Sequence, residues 1–381
     1  MDTITLIATS TFGLEKMVKN EVEALGFQQL KVSEGRIEFE ATLEDIPRCN
    51  LWLRCADRVL IKMGEFQALT FDELFEGTKA LPWENWITAD GEFPVNGKAI
   101  KSTLGSIRAC QSIVKKAVVE RLKEKYQTEW FEETGAKFTL QIAMMKDIAL
   151  LTIDTSGAGL HKRAYRGQVV EAPLKETLAA GLVMLSYWDE DRILIDPMCG
   201  SGTILIEAAM IARNIAPGLQ REFASERWPA IDDKTWEKAR LSAREVQKPE
   251  GTLQIFGYDI DERSIQACRM NARNAGVAGD IVFEQKSVKD VWINEQYGIV
   301  ISNPPYGIRI AEFREMNEIY IALHKTFRRK SGWSVYILTA DEMFPNYFKR
   351  SLPDRVRKLY NGRIKVNYYQ YYGDRPPRAA D

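Results

Sequence analysis

Asn303, Pro304, Pro305 and Tyr306 follow one another at the end of an apolar run, Tyr297 to Ser302. The run is short, β-branched and apolar, which predicts a buried strand. The tetrapeptide ends it. Two prolines remove backbone donors and fix φ, so the chain leaves the strand in a stiff, extended turn. That turn offers a side-chain amide, carbonyls without adjacent N–H partners and an aromatic ring. These groups suit a planar heterocycle bearing an exocyclic –NH2, whose N–H bonds need acceptors and whose face needs a ring. A structural turn ending in Pro-Pro-Tyr has the same composition, so the tetrapeptide by itself leaves both readings open.

A second stretch narrows the choice. Arg192 to Asp196 reads as a strand. Pro197, Met198, Cys199, Gly200, Ser201 and Gly202 form a turn, and Thr203 to Ala212 reads as an apolar helix. Gly200 and Gly202 permit positive φ and close approach of backbone to a ligand. Thr203 is placed to cap the helix, where free N–H groups favour a polar or anionic ligand. A phosphate-cradling P-loop requires Gly-Lys-Ser/Thr, and no lysine is present. A dinucleotide fingerprint requires a third glycine where this chain has Leu205. What remains is an acid-tipped strand with a Gly-x-Gly turn, in which Asp196 either accepts backbone N–H bonds or meets a ligand ammonium through water.

The elements that must position these groups follow a doubly wound plan. Leu253 to Asp259 is another strand ending in an acid, and Ser264 to Ala275 is helical. An acid at the tip of the second strand holds a ribose diol in such folds. Asp259 is therefore the expected ribose ligand, and Asp261 the cap of the next helix. Ligands in these sheets sit beyond the carboxyl ends of the strands, at the switch point, which would bring Asp196, Asp259 and Asn303 to one crevice.

Together, Asp196 to Thr203, Asp259 and Asn303 to Gly307 resemble the motifs of class I S-adenosylmethionine-dependent methyltransferases acting on amino groups. Gly159 to Arg166, followed by Ala172 to Ala179, resembles a segment of the THUMP-domain RNA methyltransferases that form N2-methylguanine. The nearest resemblance is to the bacterial 23S rRNA guanine-N2 methyltransferase family, over nearly the whole chain. It implies a Rossmann-like catalytic domain with a seven-stranded, mostly parallel sheet, preceded by an α+β ferredoxin-like and THUMP region. The expected division is 1–64 ferredoxin-like, 65–157 THUMP-like and 158–381 catalytic, with an insertion at about 214–251. S-adenosylmethionine is the implied cofactor, held by Asp196, Met198, Cys199, Gly200, Ser201, Gly202, Thr203, Asp259, Ile260, Ser287 and Asn303. Asn303, Pro304, Pro305 and Tyr306 are the implied catalytic turn. One departure stands out. Where the family often carries an acid against the adenine amino group, this chain has Ser287, with Asp290 as a substitute if the loop bends back.

The amino-terminal half reads differently. Thr3–Thr9, Arg36–Glu40 and Arg58–Met63 are expected strands, with helices over Leu14–Leu25 and Leu43–Leu53, a βαββαβ-like order. A helix from Ser106 to Lys125 and strands at Lys137–Gln141 and Ile148–Asp154 complete the THUMP resemblance, which implies RNA binding. The stretch from Lys98 to Lys125 is basic. Lys98, Lys101, Arg108 and Lys115, with Arg163 and Arg166 nearer the catalytic motifs, are the expected RNA contacts; Arg314, Lys325, Arg328, Arg329 and Lys330 form a second run. Phosphate contacts of this kind supply affinity and not base identity. The insertion holds Arg227, Trp228 and a charged helix from Lys234 to Val246; its composition leaves its role open between covering the cofactor and holding RNA. The tail from Ile364 to Tyr372 is expected to close the sheet as an antiparallel edge.

Composition sets the outer bounds. A chain of 381 residues with 45% hydrophobic content forms two or three folded domains. The net charge of -1 argues against bulk electrostatic binding of nucleic acid and leaves room for a local patch. Five cysteines without Cys-x-x-Cys spacing and two histidines make zinc an unexpected ligand, and Cys199 reads as a packing residue. No signal peptide or spanning run is evident, so a reduced, cytoplasmic setting with no membrane partner is expected, as monomer or dimer. The expected partner is RNA, ribosomal or within a ribosome-assembly particle. Transfer RNA, adenine N6 in nucleic acid, glutamine N5 in protein and a non-catalytic RNA-binding assembly factor are the alternatives.

Overall fold

The structure, a computed structural model, describes residues 3–167, 174–251, 253–305, 310–327, 330–349 and 351–375. It comprises two units. The first contains residues 1–10, 18–160 and 221–242, and the second contains 11–17, 161–220 and 243–381.

The first unit begins with β1 (Ile4–Ser10), α1 (Glu15–Ala24), β2 (Lys31–Ser33), β3 (Arg36–Ala41), α2 (Asp45–Trp52) and β4 (Ala56–Gln67). It continues with α3 (Phe71–Lys79), β5 (Val95–Ile100), α4 (Ile107–Tyr126), β6 (Thr139–Met145) and β7 (Ile148–Asp154). Its strands form one sheet in the order β2-β3-β1-β4-β7-β6-β5. The first four strands have the ferredoxin-like arrangement. β4 runs past residue 64 and pairs antiparallel with β7, so the sheet is continuous into the THUMP region. Local signals explain the helices. Thr70 and Glu73 form a reciprocal capping box on α3, and Ser106 caps α4 through Ala109 N.

The segment 221–242 belongs to this first unit. The Trp228 ring stacks on Phe138 at 4.9 Å, and its Nε1 donates to Lys137 O at 2.9 Å. Arg221 is buried and donates to the carbonyls of Ser156, Ala158 and Gly159. The middle of the insertion, 221–242, is thus a structural part of the amino-terminal unit, and Arg221 and Trp228 are engaged in that packing.

The second unit holds α5 (Glu176–Met184), β8 (Leu194–Asp196), α6 (Thr203–Ala212) and the end of α7 (Asp233–Glu245). Then come β9 (Ile255–Asp259), α8 (Glu262–Ala275), β10 (Ile281–Gln285), β11 (Gly298–Ser302) and α9 (Ile310–Phe327). β12 (Trp333–Thr339), α10 (Phe344–Phe348), β13 (Arg355–Asn361) and β14 (Ile364–Tyr371) end it. The sheet order is β10-β9-β8-β11-β12-β14-β13, with β8 to β12 parallel. β14 is antiparallel to β12 and to β13. It is therefore interior, and β13 is the edge, contrary to the expectation for the tail. Tyr368, Tyr369, Gln370 and Tyr371 are all buried, as a strand flanked on both sides requires. The core lies on β11 and β12, every residue of which is buried, against Tyr320, Leu323 and Phe327 of α9.

Candidate active site

The order of the second sheet reverses between β8 and β11, and the groups singled out by sequence lie at the carboxyl ends there. Asp196 ends β8 and Ser302 ends β11. Ser302 Oγ donates to Asp196 Oδ1 at 2.6 Å, and Met198 N donates to the same oxygen at 3.1 Å. Both side chains are buried. Burial pushes the Asp196 carboxyl up to about 7, while the two hydrogen bonds oppose the rise and the nearby Asp259 charge adds to it.

The turn that follows is held from β9. Gly200 N donates to Asp259 Oδ2 at 2.9 Å, and Cys199 N donates to Tyr258 O at 2.8 Å. Asp259 Oδ1 accepts from Asp261 N at 3.0 Å. Burial raises the Asp259 carboxyl. Gly200 and Gly202 have φ of +55° and +79°, the left-handed region that side chains disfavour. A Cβ on Gly200 would point into open space, so the turn exposes bare backbone beside Asp259. A Cβ on Gly202 would lie 3.1 Å from Cys268 Sγ and 3.3 Å from Phe283. Ile260, beside Asp259, is 71% exposed. Met198 is half-buried against the core. This arrangement fits S-adenosylmethionine: an acid for a diol, an exposed apolar residue beside it, and bare backbone for close approach.

Thr203 does not cap α6. Gly202 occupies the cap position, and Thr203 is the first helical residue. Its hydroxyl instead accepts from Arg166 Nη2 at 3.2 Å and lies 3.2 Å from Ser201 Oγ. Cys199 is buried, with its Sγ 3.7 Å from Cys268 Sγ. The Cys268 contact and burial both hold the Cys199 thiol well above its ordinary value, so it is a packing group. Ser287 caps the short turn Val288–Asp290, accepting from Lys289 N at 3.3 Å. Asp290 is exposed, with the Lys286 and Lys289 charges nearby.

Asn303 is half-buried, Pro304 buried and Pro305 exposed. Tyr306 lies outside the described residues, as do Arg328 and Arg329.

Arg163 is buried and Arg166 half-buried, and both meet acids. The Arg163 side chain is 2% exposed and lies 3.5 Å from the fully buried Glu207. Tyr165 OH donates to the same carboxylate at 3.1 Å. Arg166 Nε donates to Glu176 at 2.9 Å. A guanidinium buried against a carboxylate is committed to that partner. These residues brace the turn from behind, with Asn271, whose Nδ2 donates to Ser201 O at 3.1 Å. Glu207, Asn271, Cys268 and Ser302 escaped the motif reading. An acid inside the apolar run Thr203–Ala212 was the one signal among them.

In the first unit, Lys98, Lys101 and Arg108 are exposed and form no ion pair among the described residues. Lys115 differs. Its Nζ lies 3.4 Å from the centre of the Phe93 ring and pairs with Glu133 at 2.5 Å. Arg121 pairs with Glu84, and Lys123 with Glu129. Acids distant in sequence thus neutralise much of the basic helix. Among the described residues, no cluster suits a metal ion and no helix is long and apolar enough to cross a membrane.

Comparison with known proteins agrees with this geometry. Residues 163–370 match the methyltransferase domain described as RMKL-like, residues 5–60 match the RlmL ferredoxin-like domain, and residues 68–154 match the THUMP domain. The chain is 48% identical, over 99% of its length and 98% of the relative's, to a Bacillus subtilis protein provisionally named RNA methyltransferase YpsC. It is 34% identical to the ribosomal RNA large subunit methyltransferase K/L of Syntrophotalea carbinolica, covering 97% of this chain and 53% of that one. The chain thus spans about half the length of that enzyme. Among solved structures, one from Listeria monocytogenes described as a predicted N6-adenine-specific DNA methylase is 47% identical, with a TM-score of 0.93 over 98% of this chain and 97% of its own. SMU.472, provisionally a methyltransferase and complexed with SAH, is 41% identical, with a TM-score of 0.92 over 99% of this chain and 100% of its own.

Proposed function

This chain belongs to the RMKL-like methyltransferase family, and we propose that it methylates the exocyclic N2 of a guanine in large-subunit ribosomal RNA. S-adenosylmethionine is the cofactor of this family and supplies an activated methyl group. The observation that carries the reading is the Ser302–Asp196 hydrogen bond, which places the Asn303-Pro304 turn beside the glycine turn at the sheet's switch point.

In this proposal Asp259 holds the ribose diol, with Ile260 against the adenine and Ser287 at its edge. Gly200 to Gly202 let the backbone approach the amino acid arm. Guanine N2 is a weak nucleophile because its lone pair is delocalised into the ring. The Asn303 side-chain oxygen and the Pro304 carbonyl accept its N–H bonds and favour a pyramidal nitrogen, while Tyr306 stacks on the base. No base need remove a proton before attack. Acceleration comes from orientation and from acceptors aimed at developing charge. A paired guanine would first be flipped out, at roughly a few kcal/mol.

Substrate choice rests on the first unit. Residues 1–64 and 65–157 are assigned to RNA, with Lys98, Lys101 and Arg108 as phosphate contacts, and 158–381 to transfer. The K/L relatives' name supports ribosomal RNA, free or in an assembly particle. The name of the Listeria relative favours a second reading, adenine N6 in DNA; the same turn would hold that amino group. The THUMP match supports RNA over DNA. The test is methyl transfer from labelled S-adenosylmethionine to separated, unmethylated ribosomal RNA, transfer RNA and DNA, followed by nucleoside analysis. Label in N2-methylguanosine from large-subunit RNA is expected. Label in methyladenosine would overturn the base assignment, and label confined to transfer RNA would overturn the substrate.

A further inference from the structure

The far edge of the catalytic sheet carries a second set of groups with no assigned role. Arg355 and Arg357 alternate along the edge strand β13 and so project from one face. Gln370 lies opposite Arg355, and Tyr368 opposite Arg357. Tyr336 continues the same row on β12. Tyr372 and the 53% exposed Tyr187 close the face, with ring centres 4.9 Å apart.

This face has a surplus of donors. Arg357 Nε is buried without a hydrogen-bond partner, and so is Nε2 of Gln370, a residue only 1% exposed. Gln370 Oε1 accepts from Tyr372 OH at 3.0 Å. Asp354, the adjacent acid, has a carboxylate oxygen engaged by Tyr372 N at 2.7 Å. Neither Arg355 nor Arg357 forms an ion pair among the described residues. Burial and the like charge of Arg355 lower the Arg357 pKa. Three buried or half-buried arginines of this unit meet an acid, Arg163 with Glu207, Arg166 with Glu176 and Arg213 with Asp280, whereas half-buried Arg192 donates to the carbonyl of Tyr187. Two guanidiniums and an amide donor left unmatched, beside the exposed Tyr187 and half-buried Tyr372 rings, call for an acceptor-rich anion.

We propose that Arg355, Arg357 and Gln370 bind a phosphate of the RNA backbone, with Tyr187 and Tyr372 against an adjoining nucleotide. The site lies at the opposite edge of the sheet from β10, and it would give the catalytic unit its own hold on a long substrate. Arginine forks match phosphate oxygens, and rings accept bases of any identity. The inference rests on the reading that the substrate is RNA. Charged residues on an edge strand also discourage aggregation, and that use needs no ligand.

The experiment compares the full-length chain with Arg355→Gln/Arg357→Gln and with Tyr187→Ala. Binding of a large-subunit RNA fragment is measured from low to high salt, and S-adenosylhomocysteine binding reports on folding. The double variant is expected to bind RNA at least about tenfold more weakly. Its slope of log affinity against log salt should fall by about 0.7 to 0.9, for the one phosphate released. Tyr187→Ala should lose affinity with the slope kept. Inorganic phosphate at millimolar level should compete only weakly; full competition would replace the polymer with a free phosphate ligand. An unchanged slope and affinity in the double variant, with S-adenosylhomocysteine still bound, would overturn the inference. That outcome would leave solubility or an acidic protein partner as the use of this face. Absence of salt-dependent RNA binding in the parent would overturn the RNA reading itself.

Discussion

Replacing Ser302 by alanine should shift the pH dependence of cofactor binding. Asp196 has its carboxyl raised from 3.8 to about 7 by burial, and Ser302 Oγ, at 2.6 Å, is the larger of the two hydrogen bonds opposing that rise. A hydrogen bond to a charged group is worth about 1.5 to 3 kcal/mol. One pKa unit corresponds to about 1.36 kcal/mol. Loss of the hydroxyl therefore raises the inflection by about one to two units. With Asp196 beside the cofactor as proposed, the cofactor's sulfonium charge would favour the ionised carboxyl. For the parent, affinity should climb through about pH 7. For Ser302→Ala the climb should come about one to two units later. Calorimetric titration from pH 5.5 to 9.5 reads this directly. The ligand's own amino group titrates identically for both proteins, so the difference belongs to the enzyme. S-adenosylhomocysteine, which lacks the sulfonium charge, should show a weaker dependence. Coincident inflections for the two proteins would refute the reasoning.

The same carboxyl gives a stability signature of definite sign. Its folded value lies above the unfolded value, so between about pH 4 and 7 the folded state binds more protons than the unfolded state. Stability of the cofactor-free protein should therefore fall as pH rises through that window and level off above it. A gap of about three units sets an upper bound of about 4 kcal/mol on the change. Asp259, also raised by burial, acts in the same direction.

Three further outcomes follow from the geometry. Asn303→Ala should reduce methyl transfer by about a hundredfold or more while S-adenosylmethionine affinity stays within about twofold; loss of binding would contradict its assignment as the amino-group acceptor. Gly202→Ala should cost about 1–2 kcal/mol for the left-handed φ, plus the contacts with Cys268 and Phe283, and so lower the Tm more than Gly200→Ala does. The latter should mainly weaken cofactor binding, because its methyl enters open space; equal melting losses would refute the distinction. Arg221→Met leaves three carbonyls without their donor and should destabilise the first unit by about 3 kcal/mol, read by denaturant unfolding.

What the sequence revealed and what it hid divide along the range of the interaction. β11 was legible because a wholly buried strand needs an unbroken apolar run, and the prolines after it mark its end. The helix after Asp261 was legible because its cap and its closing Gly276, at φ +73°, are neighbours in the chain. β2 escaped because three largely exposed residues carry no periodic signal. The tail reads as an edge because its first residues alternate, whereas its later ones are buried on both faces. Nothing within the tail distinguishes an edge strand from one whose outer neighbour is the preceding hairpin strand, β13.

The site obeys the same rule. Gly200, Gly202 and Asp259 were identified because strand ends and positive φ are local properties. Arg163 reads as surface charge because His161, Lys162 and Arg166 lie beside it in the chain. Its partner, Glu207, lies on a helix that reads as purely structural. Ser302 was treated as the last residue of a strand, yet it bonds to an acid 106 positions earlier. That bond makes the glycine turn and the Asn303 turn one object. If the cofactor favours ionised Asp196, it also strengthens the acceptor that holds Ser302, and so braces the residue next to Asn303. Cofactor affinity and the placement of the amino-group acceptor are then coupled through one proton. Ser302→Ala should uncouple them, lowering kcat even at a pH high enough for Asp196 to be fully ionised.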